Sequence, residues 1–511
     1  MIFQNVKNLQ NNDDKRYFKE KIDIYIKIVD ALCKNSSIQL CRVEEKDYFE
    51  KMREMGIIDN IDELDYLKQV LSKNRFNEFI CAVSAEVIYP DLISPHVQNL
   101  NNTYRKKAQE EEKNRNAFTL VDLFCGAGGL SLGFKQCGFK TIFANDFERL
   151  CIETYTYNHP EIPTDRVVCG DIRKIAECIT TYIPEEVDIV IGGPPCQGFS
   201  SANKHHRVID DPRNELYKYF IKAVEQLAPK VVVMENVKGM LKVANQVVED
   251  YENIKIQRGD VTYSYSVAYS ILLSSEFSVA QSRERLIYIA LRNDIVQSRH
   301  ITPKGVFSII RNNNKKNIHY NLSDALEGVR GLIAPHIMGV GEVDNDESGR
   351  KIDINPYLGN ENGYLRLINQ DRTIPFVYNH KARYCSELNQ EIYRRMEQGD
   401  DATDPKIADI MPYAHRNDKF KDKYFRLYGD RPCRTITAHL RSDCHSHIHP
   451  YEDRAITPRE AARVQSFPDD YLFLGPYLKA YIQIGNAVPV VMARGIASVI
   501  KKVLEGEDYE D

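Results

Sequence analysis

Short apolar segments of strand type alternate with helical segments through the middle of this chain, beginning at Thr119. This alternation is typical of βαβ units and favours an α/β fold with a mostly parallel, doubly wound sheet. The predicted strands are Thr119–Phe124, Thr141–Asn145, Arg166–Cys169, Asp188–Ile191, Val231–Met234, Ser266–Leu272 and Leu286–Leu291.

The 511 residues are too many for one compact core, so several domains are expected. Residues 1–104 predict a helical N-terminal extension, because apolar residues recur there at three- and four-residue steps. The clearest series is Phe18, Ile22, Tyr25, Val29 and Leu32. The charged stretch 105–116 predicts a solvent-exposed helix or linker.

The regular alternation breaks up after the seventh predicted strand and returns near the C-terminus. We therefore expect one α/β domain built from residues 117–293 and 431–511, interrupted by a smaller domain at 294–430. The interruption is rich in Gly, Asn and Asp, which is typical of irregular loops.

Composition limits where such a protein works and what it binds. No apolar run approaches the roughly 20 residues of a membrane helix, and the N-terminus does not resemble a secretory signal. The 12 cysteines form no close pairs, which suits a reducing, cytoplasmic location. A net charge of −5 means that any nucleic-acid surface must be local, for example around Lys204–Arg207 or within 415–449.

A glycine-rich loop, Asp122–Ser131, follows the first predicted strand and opens a helix. Such a loop lets backbone approach a ligand closely, and the helix start favours a negative group. The spacing differs from G-x-G-x-x-G, which argues against a plain dinucleotide site. Asp146 and Glu148 end the second strand, where carboxylates can accept hydrogen bonds from ribose hydroxyls, so an adenosine ligand is favoured.

Cys196 follows the fourth predicted strand, directly after Gly192-Gly193-Pro194-Pro195. A cysteine is more often buried in a core than catalytic, but this one is placed at the carboxyl edge of the sheet, where open α/β folds bind ligands. Two further polar motifs, Glu235-Asn236-Val237 and Gln281–Arg285, follow downstream. Arg283 and Arg285 alternate along an extended segment and should point to opposite sides.

With these motifs in this order, the chain resembles the cytosine-C5 DNA methyltransferases of bacteria and phages, which depend on S-adenosylmethionine. The resemblance implies a Rossmann-like catalytic domain with a target-recognition domain at 294–430. It also implies that a target cytosine is flipped out of the duplex and methylated at C5 within a short recognition sequence. In that family pattern Cys196 adds to C6, Glu235 holds N3 and the amino group, Arg285 reaches O2, and Arg283 supports the loop.

The resemblance also assigns the cofactor residues. Asp146 would bind the ribose, Phe147 and Ile172 would sandwich the adenine, and Asp171 would meet its amino group. Many members carry Glu-Trp where this chain has Asp146-Phe147, so the stacking surface is smaller here. The residues expected to line the rest of the pocket are Phe124, Gly126, Gly128, Gly129, Leu130, Pro194, Asn486 and Val488.

For DNA the resemblance implies a closing loop after Cys196, with contacts from Gln197, Ser200, Lys204 and Arg207. Arg434 and Thr435, in the motif Arg431–Thr437, would organise the recognition region. Base contacts come from a few side chains on irregular loops, so the recognition sequence is not readable. Candidates are Arg366, Arg372, Arg383 and Arg416.

Other functions remain open at this point. A tRNA cytosine methyltransferase uses the same motifs, although Gly198-Phe199-Ser200 resembles the DNA branch rather than the tRNA branch. A homologue that binds DNA without catalysis is a third reading. A role in restriction-modification or phage defence would require a separate endonuclease as partner. Cys444, His445, His447 and His449 suggest zinc, but their spacing matches no usual four-ligand site and no metal is expected.

Overall fold

A seven-stranded sheet organises the central part of the chain. The computed structural model describes residues 2–195, 216–337, 343–354, 362–412 and 423–506. The strand order is β3-β2-β1-β4-β5-β9-β8, and β6–β7 and β10–β11 form two separate two-stranded antiparallel sheets. The strands are β1 (Thr119–Leu123), β2 (Lys140–Asp146), β3 (Val167–Cys169), β4 (Ile189–Gly192), β5 (Val231–Asn236), β6 (Ile256–Arg258), β7 (Val261–Tyr263), β8 (Tyr265–Leu273), β9 (Glu284–Arg292), β10 (Gly349–Ile354) and β11 (Phe376–Lys381).

All seven predicted strands are present in this sheet, with ends that differ by at most two residues. β1 to β5 run parallel, while β9 is antiparallel to both β5 and β8. The predicted mostly parallel α/β fold is confirmed. The strand ending at Met234 was predicted too short, because β5 continues through Glu235 and Asn236, which pair with β9.

The sheet is buried on both faces, as a doubly wound fold requires. In β5, Val231 and Val233 belong to one apolar core and Val232 and Met234 to the other. The helices of the described part of the chain are α1 (Asn12–Asn35), α2 (Glu45–Met55), α3 (Leu64–Val70), α4 (Lys73–Ile88), α5 (Pro90–Val97), α6 (Asn102–Asn114), α7 (Gly129–Gln136), α8 (Arg149–Asn158), α9 (Ile172–Ile175), α10 (Ile179–Tyr182), α11 (Leu216–Leu227), α12 (Ala244–Glu252), α13 (Asn293–Arg299), α14 (Pro303–Asn314), α15 (Leu322–Leu326), α16 (Gly363–Asn369), α17 (Glu387–Arg395), α18 (Pro458–Val464), α19 (Lys479–Asn486) and α20 (Val490–Glu505).

Helices α1 to α6 precede the sheet in the chain and form an N-terminal helical unit that runs to Asn114. The apolar series from Phe18 to Leu32 is buried along one face of α1. The core of this unit is continuous with residues of other regions, namely Tyr157, Ile352, Phe376, Tyr378, Leu472 and Leu474. The charged stretch 105–116 is largely α6, and within it Arg105 is buried and donates to the Thr156 carbonyl at 2.9 Å.

Residues 294–430 divide between two cores. Helix α14 packs against β8 and α20, and its Val306, Phe307 and Ile310 belong to the main core of the sheet. A separate small core collects residues from α17 onward: Cys385, Ile392, Tyr393, Met396, Ala402, Ile407, Met411, Tyr424 and Ile448, with Ala334. We therefore propose that the recognition unit proper is centred on this small core.

A buried lysine lies inside the N-terminal unit. Lys21 donates to the carbonyl of Ile2, and its ammonium lies 3.7 Å from the centre of the Tyr17 ring. Burial lowers the pKa of Lys21 to about 7, although Glu153 nearby favours the charged form.

Replacing Lys21 with methionine is expected to stabilise the protein at pH 7. The folded state releases the lysine proton near pH 7 and the unfolded state near its ordinary value of 10.5, so the cost of burying the charge is full below pH 7 and disappears as pH rises to about 10. The advantage of Lys21→Met in urea unfolding should be on the order of a few kcal/mol at pH 7 and shrink at pH 10. Equal advantages at both pH values would contradict this origin.

No helix among residues 2–506, apart from the undescribed gaps, has the length and apolar character needed to cross a membrane.

Candidate active site

The candidate site lies at the point where the order of the strands in the sheet reverses, between β1 and β4. β1 lies between β2 and β4, so the chain builds one half of the sheet outward from β1 and then crosses to the other half. The loops after β1 and β4 therefore leave the same edge on either side of a crevice, which is where open α/β sheets bind ligands. The first is the glycine-rich loop; the second leads through Pro194 and Pro195 to Cys196.

A buried ion pair stands beside that second loop. Glu235, at the end of β5, is 9% exposed, and its Oε1 lies 2.6 Å from Nε of Arg285 on the neighbouring strand β9. A β-carbon added to Gly193 would lie 2.9 Å from Oε2 of Glu235. Glycine at 193 thus lets the loop after β4 pass directly over the carboxylate.

Asn236 fastens the same loop from the other side. Its side-chain amide donates to the Pro194 carbonyl at 2.9 Å, and its Oδ1 accepts the backbone N–H of Val237 at 2.9 Å. The chain is therefore fixed up to the residue pair that precedes Cys196. Sequence reasoning gave Asn236 no role. The predicted residues Cys196, Gln197, Ser200, Lys204 and Arg207 lie outside the described residues.

The expectation that Arg283 and Arg285 point to opposite sides does not follow from their spacing, because residues two apart in an extended segment share a face. Arg285 pairs with Glu235, and the fully buried Arg283 donates to the carbonyls of Ile436 at 2.6 Å and Gly485 at 2.9 Å. Burial lowers the pKa of both arginines, and Glu235 opposes this effect. Arg283 thus joins three segments of the chain.

The motif around Arg434 runs alongside this arginine segment. Ser282 donates its N–H to the Cys433 carbonyl at 2.7 Å, and the N–H of Cys433 donates to the Ala280 carbonyl at 2.9 Å. The Thr435 hydroxyl donates to the Ser282 carbonyl at 3.0 Å. The guanidinium of Arg434 lies 4.8 Å from the centre of the Phe425 ring. The motif Arg431–Thr437 is therefore fixed to the segment that carries Arg285.

Two glutamines extend this linkage toward the glycine-rich loop, and sequence reasoning missed their connection. Nε2 of Gln281 donates to Oε1 of Gln465 at 2.7 Å, and Nε2 of Gln465 donates to the carbonyls of Ile484 at 2.7 Å and Ala487 at 3.1 Å. Gln465 ends a run of buried polar residues, and their burial is visible only in the structure: Arg459, Glu460, Arg463 and Gln465.

The glycine-rich loop is shaped by close backbone contacts. Gly128 has φ +90°, and a β-carbon there would lie 2.8 Å from the Tyr471 hydroxyl. A β-carbon on Gly129 would lie 2.5 Å from the Val488 carbonyl oxygen, so the loop 485–488 closes directly over the start of α7. Gly126, with φ +54°, has nothing within 4 Å of its β-carbon position, which leaves open space on that side of the loop.

Other predicted pocket residues surround this loop. Phe124 adopts φ +58°, a strained value for a side-chain-bearing residue. Leu130 and Pro194 are buried, while Asn486, at the end of α19, is exposed. The structure brings all of the predicted pocket residues on the first loop, the Pro194 loop and the 485–488 loop to one edge of the sheet.

Asp146 and Phe147 end β2 at the same edge. Oδ2 of Asp146 accepts the N–H of Gly126 at 2.9 Å, and Oδ1 accepts the N–H of Glu148 at 2.8 Å. Burial raises the pKa of Asp146 against these hydrogen bonds. The Phe147 side chain is 70% exposed, which is unusual for a large apolar residue and fits a stacking surface for a planar ligand.

Asp171 and Ile172 lie after β3, the neighbour of β2. Ile172 is buried at the start of α9. The Asp171 carboxylate accepts the N–H of Arg173 at 3.0 Å and receives its guanidinium Nη2 at 2.6 Å, which lowers the pKa of Asp171. A ligand amino group at Asp171 would therefore have to share this carboxylate with Arg173.

Asp122 is a buried carboxylate at the start of the glycine-rich loop, and no role was predicted for it. It is 1% exposed, and in the described part of the chain neither oxygen has a hydrogen-bond partner of ordinary geometry. Burial raises its pKa to about 8; the nearby Ser131 hydroxyl opposes this and Asp146 adds to it. An orphaned carboxylate beside a glycine-rich loop fits a cationic ligand group.

Replacing Asp122 with asparagine is expected to stabilise the ligand-free protein at alkaline pH. The folded state keeps the proton up to about pH 8 while the unfolded state loses it near 3.8, so stability falls as pH rises between these values. Urea unfolding should show Asp122→Asn more stable than the parent at pH 8.5, on the order of a few kcal/mol. Near pH 4.5 the difference should be small, and an unchanged difference would contradict the assignment.

The cysteine and histidines considered for zinc each have separate surroundings. Nδ1 of His445 lies 2.5 Å from the Tyr393 hydroxyl, and Nδ1 of His449 accepts the N–H of Glu452 at 3.0 Å. Cys444 and His447 are buried. Within the described ranges no group of three or more metal-ligating side chains comes together.

Several arginines of the recognition region hold the fold. Arg383 donates to the carbonyls of Leu440 and Arg441, each at 2.9 Å. Arg372 pairs with Asp470 at 2.6 Å, and buried Arg426 donates to the Tyr393 carbonyl at 2.5 Å. Arg366 lies on α16, and Arg416 lies outside the described residues. Arg426 therefore adds nothing to a basic surface.

Comparison with known proteins identifies the family to which the chain belongs. The family described as C-5 cytosine-specific DNA methylase matches residues 118–502. The chain is 31% identical over 433 residues to Type II methyltransferase M.AgeI of Thalassovita gelatinovora, covering 75% of this chain and 98% of that protein. It is 30% identical over 412 residues to Type II methyltransferase M.DdeI of Desulfomicrobium norvegicum, covering 76% and 89%.

A solved structure shows the same fold. It is a protein of E. coli described as a DNA modification methyltransferase encoded within a prophage, and it superposes with a TM-score of 0.56 at 24% identity, over 76% of this chain and 100% of that one. The match of the family across most of the chain and the similarity to Type II methyltransferases decide among the readings that the sequence left open. The chain belongs to the C-5 cytosine-specific DNA methylase family and is a DNA (cytosine-5-)-methyltransferase.

Proposed function

We propose that this enzyme uses S-adenosylmethionine and the residues Cys196, Glu235, Arg285 and Arg283 to methylate a flipped cytosine at C5. The observation that carries the proposal is the Glu235–Arg285 ion pair, 2.6 Å long, at the sheet edge beside the loop that leads to Cys196. A carboxyl group and a guanidinium side by side suit the N3 and O2 edge of a cytosine.

The pocket for the cofactor is the crevice formed by the glycine-rich loop, Asp146, Phe147 and the loop 485–488. When bound, S-adenosylmethionine supplies its methyl group as an electrophile. Phe147 offers an exposed face for the adenine, and Asp146 has carboxylate lone pairs for the ribose hydroxyls. Burial raises the pKa of Asp122 to about 8, and the cationic end of the methionine part would favour the ionised form of this carboxyl.

Cys196 acts as the nucleophile. C5 of cytosine is a weak nucleophile, and addition of the Cys196 thiolate to C6 converts the ring into an enamine that reacts at C5. After methylation N3 returns its proton to Glu235 and a water molecule acting as base takes the C5 proton. The electron pair of that C–H bond re-forms the C5–C6 double bond, and the C6–S bond breaks to release the Cys196 thiolate. The loop around Cys196 needs to be held from behind, and Gly193, Asn236 and Pro194 provide that support.

Glu235 and Arg285 stabilise the ring while the cysteine is attached. Glu235 donates a proton to N3, which accepts the electron pair displaced by addition at C6. Arg285 places a positive charge near O2, where negative charge also accumulates. Arg283 positions Arg285 by holding its strand to the carbonyls of Ile436 and Gly485.

A cytosine in a duplex is out of reach, so the target base must be flipped out. Gln197 and Ser200 would occupy or line the gap in the duplex, and Lys204 and Arg207 would meet phosphates. Arg434 and Thr435 position the recognition region against the catalytic edge.

The relatives named Type II methyltransferases suggest a restriction-modification setting for this chain as well. Its partner there would be an endonuclease that cuts the same unmethylated sequence.

The test is expression in a bacterial host that lacks cytosine methylation, with the empty vector as control, followed by mapping of 5-methylcytosine across the genome. Methylation at C5 within one short motif is the expected result. Soluble protein with an unmethylated genome would contradict the proposal, and methylation of tRNA alone would move the substrate to RNA.

A further inference from the structure

We infer that the N-terminal helical unit fixes the position of helix α8 beside the cofactor pocket. Cofactor binding and the packing of this unit on α8 are therefore coupled. The inference rests on the proposed function, which places the adenosine part of the cofactor at Asp146 and Phe147. The unit precedes residue 118, where the family match begins, so the match assigns it nothing.

Helix α8 is connected to both sides of the proposed pocket. It begins at Arg149, directly after the Asp146–Glu148 turn that ends β2. On its inner side the Tyr155 hydroxyl donates to Oγ of Ser131 on α7 at 3.0 Å. A β-carbon on Gly128 would lie 3.0 Å from the Tyr155 ring. A shift of α8 would therefore move both the adenosine end and the glycine-rich loop.

The outer side of α8 is held by α1 of the N-terminal unit. Nη2 of Arg149 lies 2.8 Å from Oδ1 of Asp14, and Nη2 of Arg16 lies 2.5 Å from Oε2 of Glu153. The Tyr17 hydroxyl donates to the Glu153 carbonyl at 3.3 Å. These contacts all fall in the first turns of both helices, next to the adenosine end of the pocket.

Helix α6 adds contacts at the other end of α8. Arg105 donates to the Thr156 carbonyl at 2.9 Å, and Gln109 donates to the Pro160 carbonyl at 3.2 Å. Since α1 fixes the start of α8 and α6 fixes its end, the unit determines both the position and the tilt of the helix.

A second connection runs through Glu20 of α1. Its Oε1 accepts the N–H of Gly475 at 2.7 Å and the Lys351 ammonium at 2.6 Å. The segment before Gly475 is tied to α8, because Leu474 donates its N–H to the Thr154 hydroxyl at 3.0 Å. That segment begins at Tyr471, whose hydroxyl donates to the Ala127 carbonyl in the glycine-rich loop.

Apolar burial attaches the N-terminal unit, whereas the polar contacts determine the position of α8. Tyr157, Leu472 and Leu474 belong to the core of the N-terminal unit, so the unit stays attached through buried apolar surface. The ion pairs of Asp14 and Arg16 are partly exposed and contribute little to attachment. These ion pairs instead determine the position of α8 relative to α1. By linkage, the free energy by which the packed unit strengthens cofactor binding equals the free energy by which the cofactor stabilises the packing of the unit on α8.

A charge exchange between α1 and α8 tests this coupling. Three variants are compared with the parent: Asp14→Arg, Arg149→Asp and the double exchange. The matched control is Asp30→Arg, the same charge change on α1 at a residue that pairs with Lys34. Affinity for S-adenosylhomocysteine is measured by calorimetry on the full chain, with urea unfolding as a check of folding.

Each single reversal at Asp14 or Arg149 is expected to raise the Kd about fivefold, a typical size for coupling between sites. The double exchange should return the Kd to within about twofold of the parent, and Asp30→Arg should leave it there. Tyr17→Phe, which removes only one hydroxyl, should raise the Kd in the same direction if a reversal variant does not fold. In hydrogen exchange, S-adenosylhomocysteine should slow exchange in α1.

The inference is overturned if the reversals and Tyr17→Phe leave the Kd unchanged, or if Asp30→Arg weakens binding as much as Asp14→Arg. A double exchange that remains as weak as the single variants also overturns it, since the pair would then not be the cause. A parent protein that does not bind S-adenosylhomocysteine would instead overturn the proposed cofactor, and with it the basis of the coupling.

Discussion

Replacing Cys196 with alanine is expected to lower the rate of methyl transfer by more than about 10⁴-fold, because removal of a covalent nucleophile eliminates the pathway rather than slowing it. Without a sulfur at C6, C5 of cytosine does not become an enamine carbon. Affinity for DNA should stay within about threefold, since the neighbouring loop residues and the recognition region are unchanged.

Two measurements check the Cys196 prediction. Single-turnover transfer of a labelled methyl group gives the rate, and a duplex with 5-fluorocytosine at the target position gives the covalent complex on a denaturing gel. The fluorine cannot leave as a proton does, so the parent should be trapped and Cys196→Ala should not. A trapped complex in the alanine variant would assign the nucleophile to another cysteine.

Replacing Glu235 with glutamine is expected to slow methyl transfer by about 10²–10⁴-fold, the usual contribution of a positioned acid. Glutamine keeps the size and can still contact the base edge, but it cannot give N3 a proton. The change also leaves Arg285 without its anionic partner at 2.6 Å in a largely buried position, so a measurable loss of stability should accompany it.

Glu284 provides the matched control for Glu235. It is the next strand residue before Arg285, is exposed, and pairs with Lys238 at 2.9 Å. Glu284→Gln should therefore react at close to the parent rate. Formation of the trapped complex should slow in Glu235→Gln as much as turnover does, because the proton is needed when the cysteine adds. Fast trapping with slow turnover would place the role of Glu235 after that step.

The sheet and its edge could be predicted because they depend on local patterns. Strands such as β4 and β5 are short runs of apolar residues with alternating faces, and the residues that follow them necessarily meet at one edge. The two-residue period of an extended chain places Arg283 and Arg285 on one face, so the expectation that they point to opposite sides did not follow from that pattern.

Contacts between distant segments could not be predicted in this way. Gln281 and Gln465 are 184 residues apart, and nothing in either neighbourhood indicates that their amides meet. The same holds for Glu20 and Gly475. The isolation of Asp122 also depends on what covers the end of β1, and no single segment determines that.

The end of β5 was also mispredicted, because it depends on pairing with a strand that is distant in the sequence. Glu235 and Asn236 are polar, so the apolar pattern ended at Met234. Pairing with β9 keeps both residues in the strand and holds the carboxylate against Arg285. A functional residue thus extended an element beyond its apolar run.

The packing of α7 against α20 affects how this protein is made. A β-carbon on Gly133 of α7 would lie 2.5 Å from the side chain of Ala493, and these two positions are about 360 residues apart in the chain. At ribosomal rates of about 5–20 residues per second, the segment that completes this packing emerges roughly 20–70 s after α7. A nascent chain therefore lacks the packing of α20 against α7, and with it the support behind the glycine-rich loop, until α20 has emerged, and we expect it to be inactive toward DNA before then.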